Sequence, residues 1–521
     1  MAKKVTIVYF IFGIFILNGC SKLDEKFLGD TTQGGVASSA NTTILLRSLY
    51  NSMTSVFTWV LNVFPLQEIC TDEAIFPTRA GDWDDNGIWR SLHSQKWAAN
   101  HDGIKNCFNS LNGINYEATD LLQYHPSNQQ QAEARFIRAW VMYLLLDMYD
   151  QVPYRDPGEN LTQPARVRTG TEALSYIISE LNAIESDLPV GPPYKANKYA
   201  AKVLLMKCYL NKMVYENRSE PVPNTDNMNE VIGLADEIIT SGAFTFSTNY
   251  FDNFAPDNTT SGKENIFTLL NEAGSTPHNS MGIAWFMVLH YNQDFGIGVN
   301  GCSTLSDFYN KFEPTDKRRG TVYSSAGSPP NPANEINAGF LIGQQYDYFS
   351  GAPLTDRKGV RLLIFTPEVK NIETGANNEV TGIRPIKYFP DWTNLFSPDN
   401  DFVFFRLSDV LLMKAEAILR GGAATNAGAY GSTALSIINA IRTDPSRGAS
   451  ALASASLNDI YDERGRELWW ENWRRQDMIR FKKFLLPFQE KNYLSDSKYL
   501  VFPIPDEQLA VNPNLTQNPG Y

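Results

Sequence analysis

Apolar residues recur at the spacing of an α-helix along much of the chain. Leu407, Val410, Leu411, Ala415 and Ile418 lie at offsets of 0, 3, 4, 8 and 11 and therefore share one helical face. The same spacing predicts helices within 132–143, 171–188, 199–210, 231–240, 433–442 and 457–484. Helices that follow one another this closely pack as hairpins. We therefore predict a mainly α, tetratricopeptide-like scaffold of helical hairpins.

The stretch 245–400 has a different pattern. Clusters of Gly, Pro, Asn and Asp separate short β-branched or aromatic runs, which is typical of long loops with a few short strands. The chain thus divides into an N-terminal helical region (41–244), a loop-rich insertion (245–400) and a C-terminal helical region with an extended tail (401–521), all parts of one fused unit. Loops on a rigid scaffold often carry the binding site.

The N-terminus carries a targeting signal. Lys3 and Lys4 precede an apolar run over 5–17, which is shorter than the roughly 20 residues that span a bilayer. We read 1–19 as a signal peptide. Leu17 to Cys20 resembles a bacterial lipobox, which implies a lipid on Cys20 and a tether over 20–40; the alternative is a plain signal peptide with an incidental Cys. Lys22, Asp24 and Glu25 just after Cys20 resemble a surface-export signal of some Gram-negative lipoproteins, which implies the outer face of the outer membrane as the location.

Composition narrows the function. The chain has 521 residues and a net charge of −12, which argues against nucleic acid as a partner. Five His and five Cys leave little material for a metal site of those ligands, whereas 24 Tyr and 10 Trp supply flat contact surfaces. Apart from Cys20, the cysteines are too widely spaced to distinguish disulfides from buried thiols; they are Cys70, Cys107, Cys208 and Cys302.

Catalytic patterns are weak in this sequence. Asp82, Asp84 and Asp85 could form a glycosidase pair or a calcium loop, but no EF-hand spacing is complete. Gly296-Ile297-Gly298 lacks the third Gly of a dinucleotide loop. The sequence contains neither a His-Glu-x-x-His nor a Gly-x-Ser-x-Gly motif. We therefore predict a protein that is not an enzyme and needs no cofactor; a structural calcium ion stays open.

Several blocks in a fixed order point to a known family. They are 133–140, 151–154, 405–417, 438–442, 462–468, 473–480, 503–505, 512–515 and 517–521. Together these blocks resemble the SusD/RagB family of outer-membrane nutrient-uptake lipoproteins. Their charged residues suit ion pairs within and between packed helices; they include Glu463, Arg464, Glu467, Arg474 and Asp477. The resemblance therefore identifies a scaffold and leaves the ligand unnamed.

The richest candidate for a ligand site lies within 71–100. Sugars have flat apolar faces ringed by hydroxyl groups, so an aromatic ring can cover a face while Arg, Asp and Asn bond the hydroxyls. The segment also resembles the region of the starch-binding branch where glycan contacts gather, and that resemblance implies Tyr291 as a further aromatic contributor. The candidates are Arg79, Asp82, Trp83, Trp97, Asn100 and Tyr291.

The tryptophans of this segment have an alternative interpretation. Trp89 and Trp97 could equally be core residues, since Trp is highly buried on average. We expect alanine at Arg79, Trp83 or Tyr291 to weaken oligosaccharide binding and to leave the melting temperature nearly unchanged.

The resemblance implies a function in nutrient uptake. We predict a surface lipoprotein that captures oligosaccharides and delivers them to a SusC-like TonB-dependent transporter, above which it acts as a lid. Two alternatives remain: a peptide-binding RagB-like protein, and a structural lid with little affinity for any ligand.

Overall fold

The computed structural model describes residues 41–275, 284–293, 298–375 and 378–521. The predicted signal peptide (1–19), the lipidation site Cys20 and the tether (20–40) lie outside these residues. From residue 41 onward the described chain forms one compact unit. Among the described helices, none combines the length and the apolar character needed to cross a membrane.

Helices dominate the described chain, as the periodicity predicts. In chain order they begin with α1 Thr42–Thr58, α2 Ile88–His93, α3 Asp102–Leu122, α4 Asn128–Tyr149, α5 Gly170–Ile184, α6 Lys198–Glu216 and α7 Thr225–Thr240. After the short α8 Asn258–Ser261 and α9 Ser306–Tyr309 come α10 Leu407–Leu419, α11 Ala434–Arg442, α12 Leu457–Leu468, α13 Arg474–Arg480 and α14 Asp506–Val511.

Local signals start and stop these helices. Ser127 and Gln130 form a capping box at the start of α4, and Asp150 ends this helix with a left-handed φ of 60°. Asn197 caps α6 by accepting a hydrogen bond from the Ala200 N–H. Successive helices then pack as neighbours: α3 on α4, α4 on α5, α6 on α7 and α10 on α11. The hairpin scaffold is confirmed.

The strands are short and lie in small sheets. They are β1 Ala74–Ile75, β2 Thr78–Arg79, β3 Gln151–Tyr154, β4 Arg166–Thr169, β5 Asn265–Leu269, β6 Ser303–Thr304, β7 Gly320–Thr321, β8 Ala338–Leu341, β9 Gly343–Gln344, β10 Ile364–Phe365, β11 Ile372–Glu373, β12 Arg384–Ile386 and β13 Phe402–Arg406. Antiparallel pairs join β1 to β6, β3 to β4, β5 to β13 and β9 to β10, while β8 lies between β7 and β12; β2 and β11 run parallel. Most of them lie in 245–400, which is otherwise loop. The boundaries at 244 and 400 stay predictions.

The predicted charged residues of the C-terminal helices are buried ion pairs. Arg464 bonds Asp409 and Asp477 at 2.9 and 2.8 Å, and Arg474 bonds Asp72 at 2.7 Å. Each pair ties one helix to another element. Because both partners are largely withdrawn from water, removal of one would leave a buried charge unpaired. The structural interpretation of the family blocks is confirmed.

Two details differ from the sequence prediction. The stretch 457–484 is interrupted between α12 and α13, where Trp470 and Asn472 adopt left-handed φ values of 64° and 66°. The tail from residue 502 is only partly an extended surface segment. Phe502 is fully buried, and α14 lies within the tail.

The four cysteines of the described chain are free and buried. Burial raises the pKa of the Cys70 and Cys107 thiols to about 12. They act as small apolar residues of the core.

Candidate functional site

An aromatic cleft of about 480 Å³ opens among the loops of the insertion. An irregular hairpin forms one wall: its base is the β9–β10 pair, and Tyr346 bridges to Pro353 nearer the tip. The lining residues are Tyr291, Asn292, Gln293, Tyr346, Asp347, Tyr348, Phe349, Pro353, Leu354, Thr355 and Trp392. We call this feature the aromatic cleft.

Two aspartates fix the loops that present the rings. The Asp347 carboxylate accepts hydrogen bonds from the Phe349 and Ser350 N–H groups at 3.1 and 2.7 Å, and the bonds from Ser350 lower the pKa of Asp347. The buried Asp391 carboxylate accepts from the Thr393 N–H at 3.0 Å and from its hydroxyl at 2.7 Å. Such Asp-centred turns hold a loop in one conformation without regular secondary structure.

The rings on these turns meet at right angles. Tyr348 and Phe349 contact Trp392 edge to face, with centroid distances of 5.2 and 6.3 Å. Phe349 is still 53% exposed. Aromatic faces therefore remain available within the cleft, although the turns themselves are ordered.

Charged groups surround Tyr291 at one edge of the cleft. Its hydroxyl donates to Asp82 at 2.8 Å, and the Arg357 guanidinium lies 3.9 Å above its ring. Burial and the hydrogen bond to Asp82 raise the pKa of Tyr291 to about 12. Arg357 also bonds Glu379 at 2.7 Å, and Glu379 bonds His290 at 3.0 Å.

The charge state of this edge follows from those contacts. Burial alone would favour the neutral carboxyl of Glu379, but the hydrogen bonds from Arg357 and His290 outweigh it, so the pKa of Glu379 is lowered. Asp82 and Arg357 keep 49% and 47% of their side chains exposed. This edge thus offers a carboxylate and a guanidinium to ligand hydroxyl groups.

The loop that carries Asp82 has an unusual backbone. Ala80, Trp83, Asp85 and Asn86 all have positive φ values, between 39° and 61°. Such conformations persist only where the surroundings impose them, and they gather at functional sites. Here the Trp83 indole Nε1–H donates to the Val299 carbonyl at 3.0 Å, and a Cβ on Gly301 would lie 2.9 Å from the indole.

The sequence-predicted site residues separate into distinct groups. Asp82 and Tyr291, which are 209 residues apart, are brought into direct contact. Trp83 is partly buried, and its ring packs on Phe76 and Trp89 with centroid distances of 5.2 and 6.3 Å. Trp83 therefore anchors the loop to the core through these ring contacts. Asn100 is exposed just before α3.

Arg79 and Trp97 lie in the core. Arg79 is 3% exposed and donates to the Asn378 carbonyl, the Thr381 hydroxyl and the Ser303 hydroxyl at 2.7, 2.6 and 3.0 Å. Burial lowers its pKa to about 10. Its guanidinium is therefore a structural connector in this chain, and the expectation that alanine would leave stability unchanged does not fit its burial.

Trp97 also fits the core alternative. It is 3% exposed, its indole Nε1–H donates to the Tyr521 hydroxyl at 2.7 Å, and its ring packs on Phe502 at a centroid distance of 4.7 Å. Trp89, at 1% exposure, is likewise in the core.

Sequence reasoning missed Arg357, Tyr348, Phe349 and Trp392. A signal was present, because 346–349 places three aromatic residues around an Asp in a Gly- and Pro-rich stretch, and Trp392 also follows an Asp. Both patterns match the Asp82-Trp83 pair, in which an aromatic residue also follows an Asp. Because these residues are far apart along the chain, local patterns could not predict that they line one cleft.

The acidic trio considered for calcium is engaged elsewhere. Asp82 accepts from the Tyr291 hydroxyl, Asp84 pairs with Arg90, and Asp85 accepts from the Trp89 indole Nε1–H at 2.7 Å. Within the described ranges, no group of three or more His, Cys, Asp or Glu side chains is arranged to hold a metal ion.

Comparison with known proteins identifies the protein family to which the chain belongs. The model of the SusD family matches residues 236–521, more than half of the sequence. The chain belongs to the SusD family.

Particular relatives extend this result. The starch-binding protein SusD of Bacteroides thetaiotaomicron is 26% identical over 515 aligned residues, which cover 88% of this chain and 85% of that protein. A SusD superfamily protein from Parabacteroides distasonis superposes with a TM-score of 0.69 at 19% identity, over 92% of this chain and 100% of that structure. Surface glycan-binding protein A from Bacteroides thetaiotaomicron, in complex with laminarihexaose, superposes with a TM-score of 0.63 at 16% identity, over 92% and 98%.

Proposed function

We propose that this protein captures oligosaccharides in the aromatic cleft. The observation that carries the proposal is the convergence of Tyr291, Tyr348, Phe349 and Trp392 on one open cavity of about 480 Å³. A folded core normally buries its large apolar rings. Here Asp347 and Asp391 fix the turns that keep Tyr348, Phe349 and Trp392 partly exposed. These rings are therefore suited to contact a ligand.

The chemistry of the cleft matches a sugar. Aromatic faces cover the apolar C–H face of a pyranose, and burying that face removes apolar surface from water. Asp82 and Arg357 supply an acceptor and donors at the edge, where equatorial hydroxyl groups project. Half-exposed charges serve this purpose better than a buried pair, because a sugar hydroxyl can replace their water without leaving a charge unpaired.

The named relatives point in the same direction. One is called a starch-binding protein, and a structural neighbour is seen with laminarihexaose. Starch and laminarihexaose are both neutral glucans. We therefore take a neutral glucan as the first ligand class to test.

We place this binding step in nutrient uptake without catalysis or a cofactor. The lipobox-like Leu17 to Cys20 supports a lipid anchor at the outer membrane. Family membership supports delivery of the glycan to a SusC-like TonB-dependent transporter. A ligand held mainly by ring stacking and rim hydroxyl contacts can leave as well as enter, which suits a protein that passes its cargo on.

Binding is tested with the mature protein on an array of neutral α- and β-glucans together with a peptide library. For a glycan that binds, Trp392→Ala is expected to lower the affinity at least about tenfold, or about 1.4 kcal/mol. Phe396→Ala is the matched control, because this aromatic residue is 82% exposed and does not line the cleft. Equal affinities for both variants, or binding to peptides alone, would contradict the proposal.

Delivery is tested separately. The protein, extracted from its native membrane with a mild detergent, is expected to co-purify with a TonB-dependent barrel, and cells lacking the protein are expected to import less of the bound glycan. Normal import without the protein would exclude delivery but leave glycan binding intact.

A further inference from the structure

A second groove, of about 460 Å³, lies between the end of α1 and the first half of α3. Its lining includes Ser55, Thr58, Trp59, Asn106, Asn109 and Ser110. None of the residues that line it belongs to the aromatic cleft. We call it the Trp59 groove.

Two neighbouring helices build the sides of this groove. Ser55 and Thr58 lie at i and i+3 in the last turn of α1, and Trp59 follows as the C-cap residue with an extended backbone (φ −98°, ψ 138°). In α3, Asn106, Asn109 and Ser110 lie at i, i+3 and i+4 and share one helical face. Because the two helices pack against each other, both sets of residues line the same groove.

Trp59 is the one exposed tryptophan of the ten, all of which the structure describes. Its side chain is 48% exposed, whereas Trp83 and Trp392 are partly buried and the others are in the core. An indole in water leaves a large apolar surface unburied. A ligand that covered this ring would recover that surface.

The polar groups around Trp59 carry no charge. The groove is lined by hydroxyl and carboxamide side chains together with Trp59 and Leu61, in a chain of which 20% of the residues are charged. Within the described part of the chain, the side chains of Ser55, Asn106 and Asn109 take part in no hydrogen bond, ion pair or ring contact. They are free to bond a ligand.

The lining of the groove includes a buried carboxamide whose oxygen accepts no hydrogen bond from the described residues. Asn62 is 7% exposed, and its Nδ2 donates to the Ser110 hydroxyl at 3.2 Å. Its Oδ1 accepts no hydrogen bond from the described residues. A buried acceptor without a donor is destabilising, so a ligand hydroxyl that reached this oxygen would satisfy it.

We propose that the Trp59 groove is a second site, independent of the aromatic cleft, that binds one or two uncharged sugar residues. An exposed ring beside neutral donors and acceptors matches a pyranose, with its apolar face and its hydroxyl rim. The absence of charge from the lining disfavours anionic and cationic ligands, since they would lose hydration without gaining a charged partner. A second site would let the protein hold a long glycan at two points and so increase its avidity.

The test observes Trp59 directly. Protein labelled with 5-fluorotryptophan gives one fluorine signal for each of its 10 tryptophans, and Trp59→Phe identifies the signal of Trp59 by deletion. Maltohexaose, laminarihexaose, cellohexaose and mannohexaose are titrated in turn. At least one of them is expected to shift the Trp59 signal in a saturable way, also in a Trp392→Ala background in which the aromatic cleft is impaired.

Two controls define the outcome. The double variant Asn106→Ala, Asn109→Ala is expected to lower the affinity read from the Trp59 signal about tenfold or more. Tyr116→Ala is expected to leave this affinity unchanged, because it replaces an aromatic residue of α3 with a similar exposure, 43%. The proposal is overturned if none of the four sugars moves the Trp59 signal, or if the response disappears in Trp392→Ala. Because the Trp392 signal is read in the same wild-type titration, failure of the aromatic cleft is seen separately.

Discussion

The C-terminal ion-pair network and the edge of the aromatic cleft use the same residue types in opposite ways. In the network, Glu467 pairs with Arg406, Arg447 and Arg318 at 2.5, 2.7 and 2.7 Å, and all four side chains are 0% exposed. At the cleft, Asp82 and Arg357 are 3.7 Å apart and about half exposed. Burial decides whether a charged residue supports the fold or remains available to a ligand.

The contrast explains why the family blocks identify a scaffold. Burial favours the neutral form of Glu467, but the three arginines outweigh it and hold its pKa well below the usual range. A charge so enclosed has no access to a ligand. The residues of the proposed ligand site lie instead on loops, where turns around Asp347 and Asp391 set the positions of the rings.

The largest expected effect is on stability, from breaking the network. Glu467→Ala leaves three buried guanidinium groups without their shared partner, and we expect the free energy of unfolding to fall by about 3–5 kcal/mol. Chemical denaturation measures it. Glu335→Ala, at an exposed glutamate, is the control; similar values for the two variants would contradict the assigned role of burial.

A pair of arginines tests the comparison within the candidate site. Arg79→Ala removes three hydrogen bonds of a buried guanidinium, and we expect it to destabilise the fold by about 2–4 kcal/mol. Arg357→Ala, at a half-exposed position, should leave the melting temperature nearly unchanged and weaken glycan binding. If the two variants had equal effects on stability, the division between supporting and ligand-facing arginines would be wrong.

A buried acid pair should make stability depend on pH. Burial raises the pKa of Glu73 to about 8, and burial together with Glu73 raises that of Glu68 well above its usual value. The folded state then binds a proton that the unfolded state has released, so stability falls as pH rises from about 5 to about 8, by at most about 1.4 kcal/mol per unit for each proton. Urea midpoints across this range measure the slope.

Glu73→Gln is expected to flatten that slope, because glutamine does not titrate. Glu335→Gln, at an exposed position, serves as the control and should keep the slope of the wild type. An unchanged slope in Glu73→Gln would show that Glu73 does not carry the effect.

The smallest expected effect comes from an exposed pair. Lys482 and Glu220 are in contact but 50% and 70% exposed, so Lys482→Ala should change the free energy of unfolding by less than about 1 kcal/mol. Thermal melting of this variant beside Glu467→Ala measures the full range between exposed and buried pairs. A loss as large as that of Glu467→Ala would be incompatible with solvent screening.

Helices with a clean apolar face could be predicted from the sequence. The predicted face of α10 is observed, with Val410 and Leu411 fully buried. In contrast, the apolar spacing did not predict α1 and α3. The α3 sequence contains Gly103, Gly113 and Asn at 106, 109, 112 and 115, residues that lower helix propensity, and tertiary packing on α1 and α4 outweighs them.

The site was predictable only in part. Local composition indicated Asp82 and Trp83, and resemblance indicated Tyr291. The contact of Asp82 with Tyr291 depends on the loops between them, and the position of Trp392 depends on a turn around Asp391. No periodicity connects such residues, because loop conformation is set by individual hydrogen bonds and close approaches.

The four buried thiols have a practical consequence for studying motion. They lie in separate parts of the scaffold: Cys107 on α3, Cys208 on α6, Cys302 beside β6 and Cys70 in the turn before β1. A thiol that is buried and protonated reacts with a disulfide reagent only when its surroundings open. With the other cysteines replaced, the labelling rate of each one would therefore report how often its own region opens, and whether a bound glycan slows that opening.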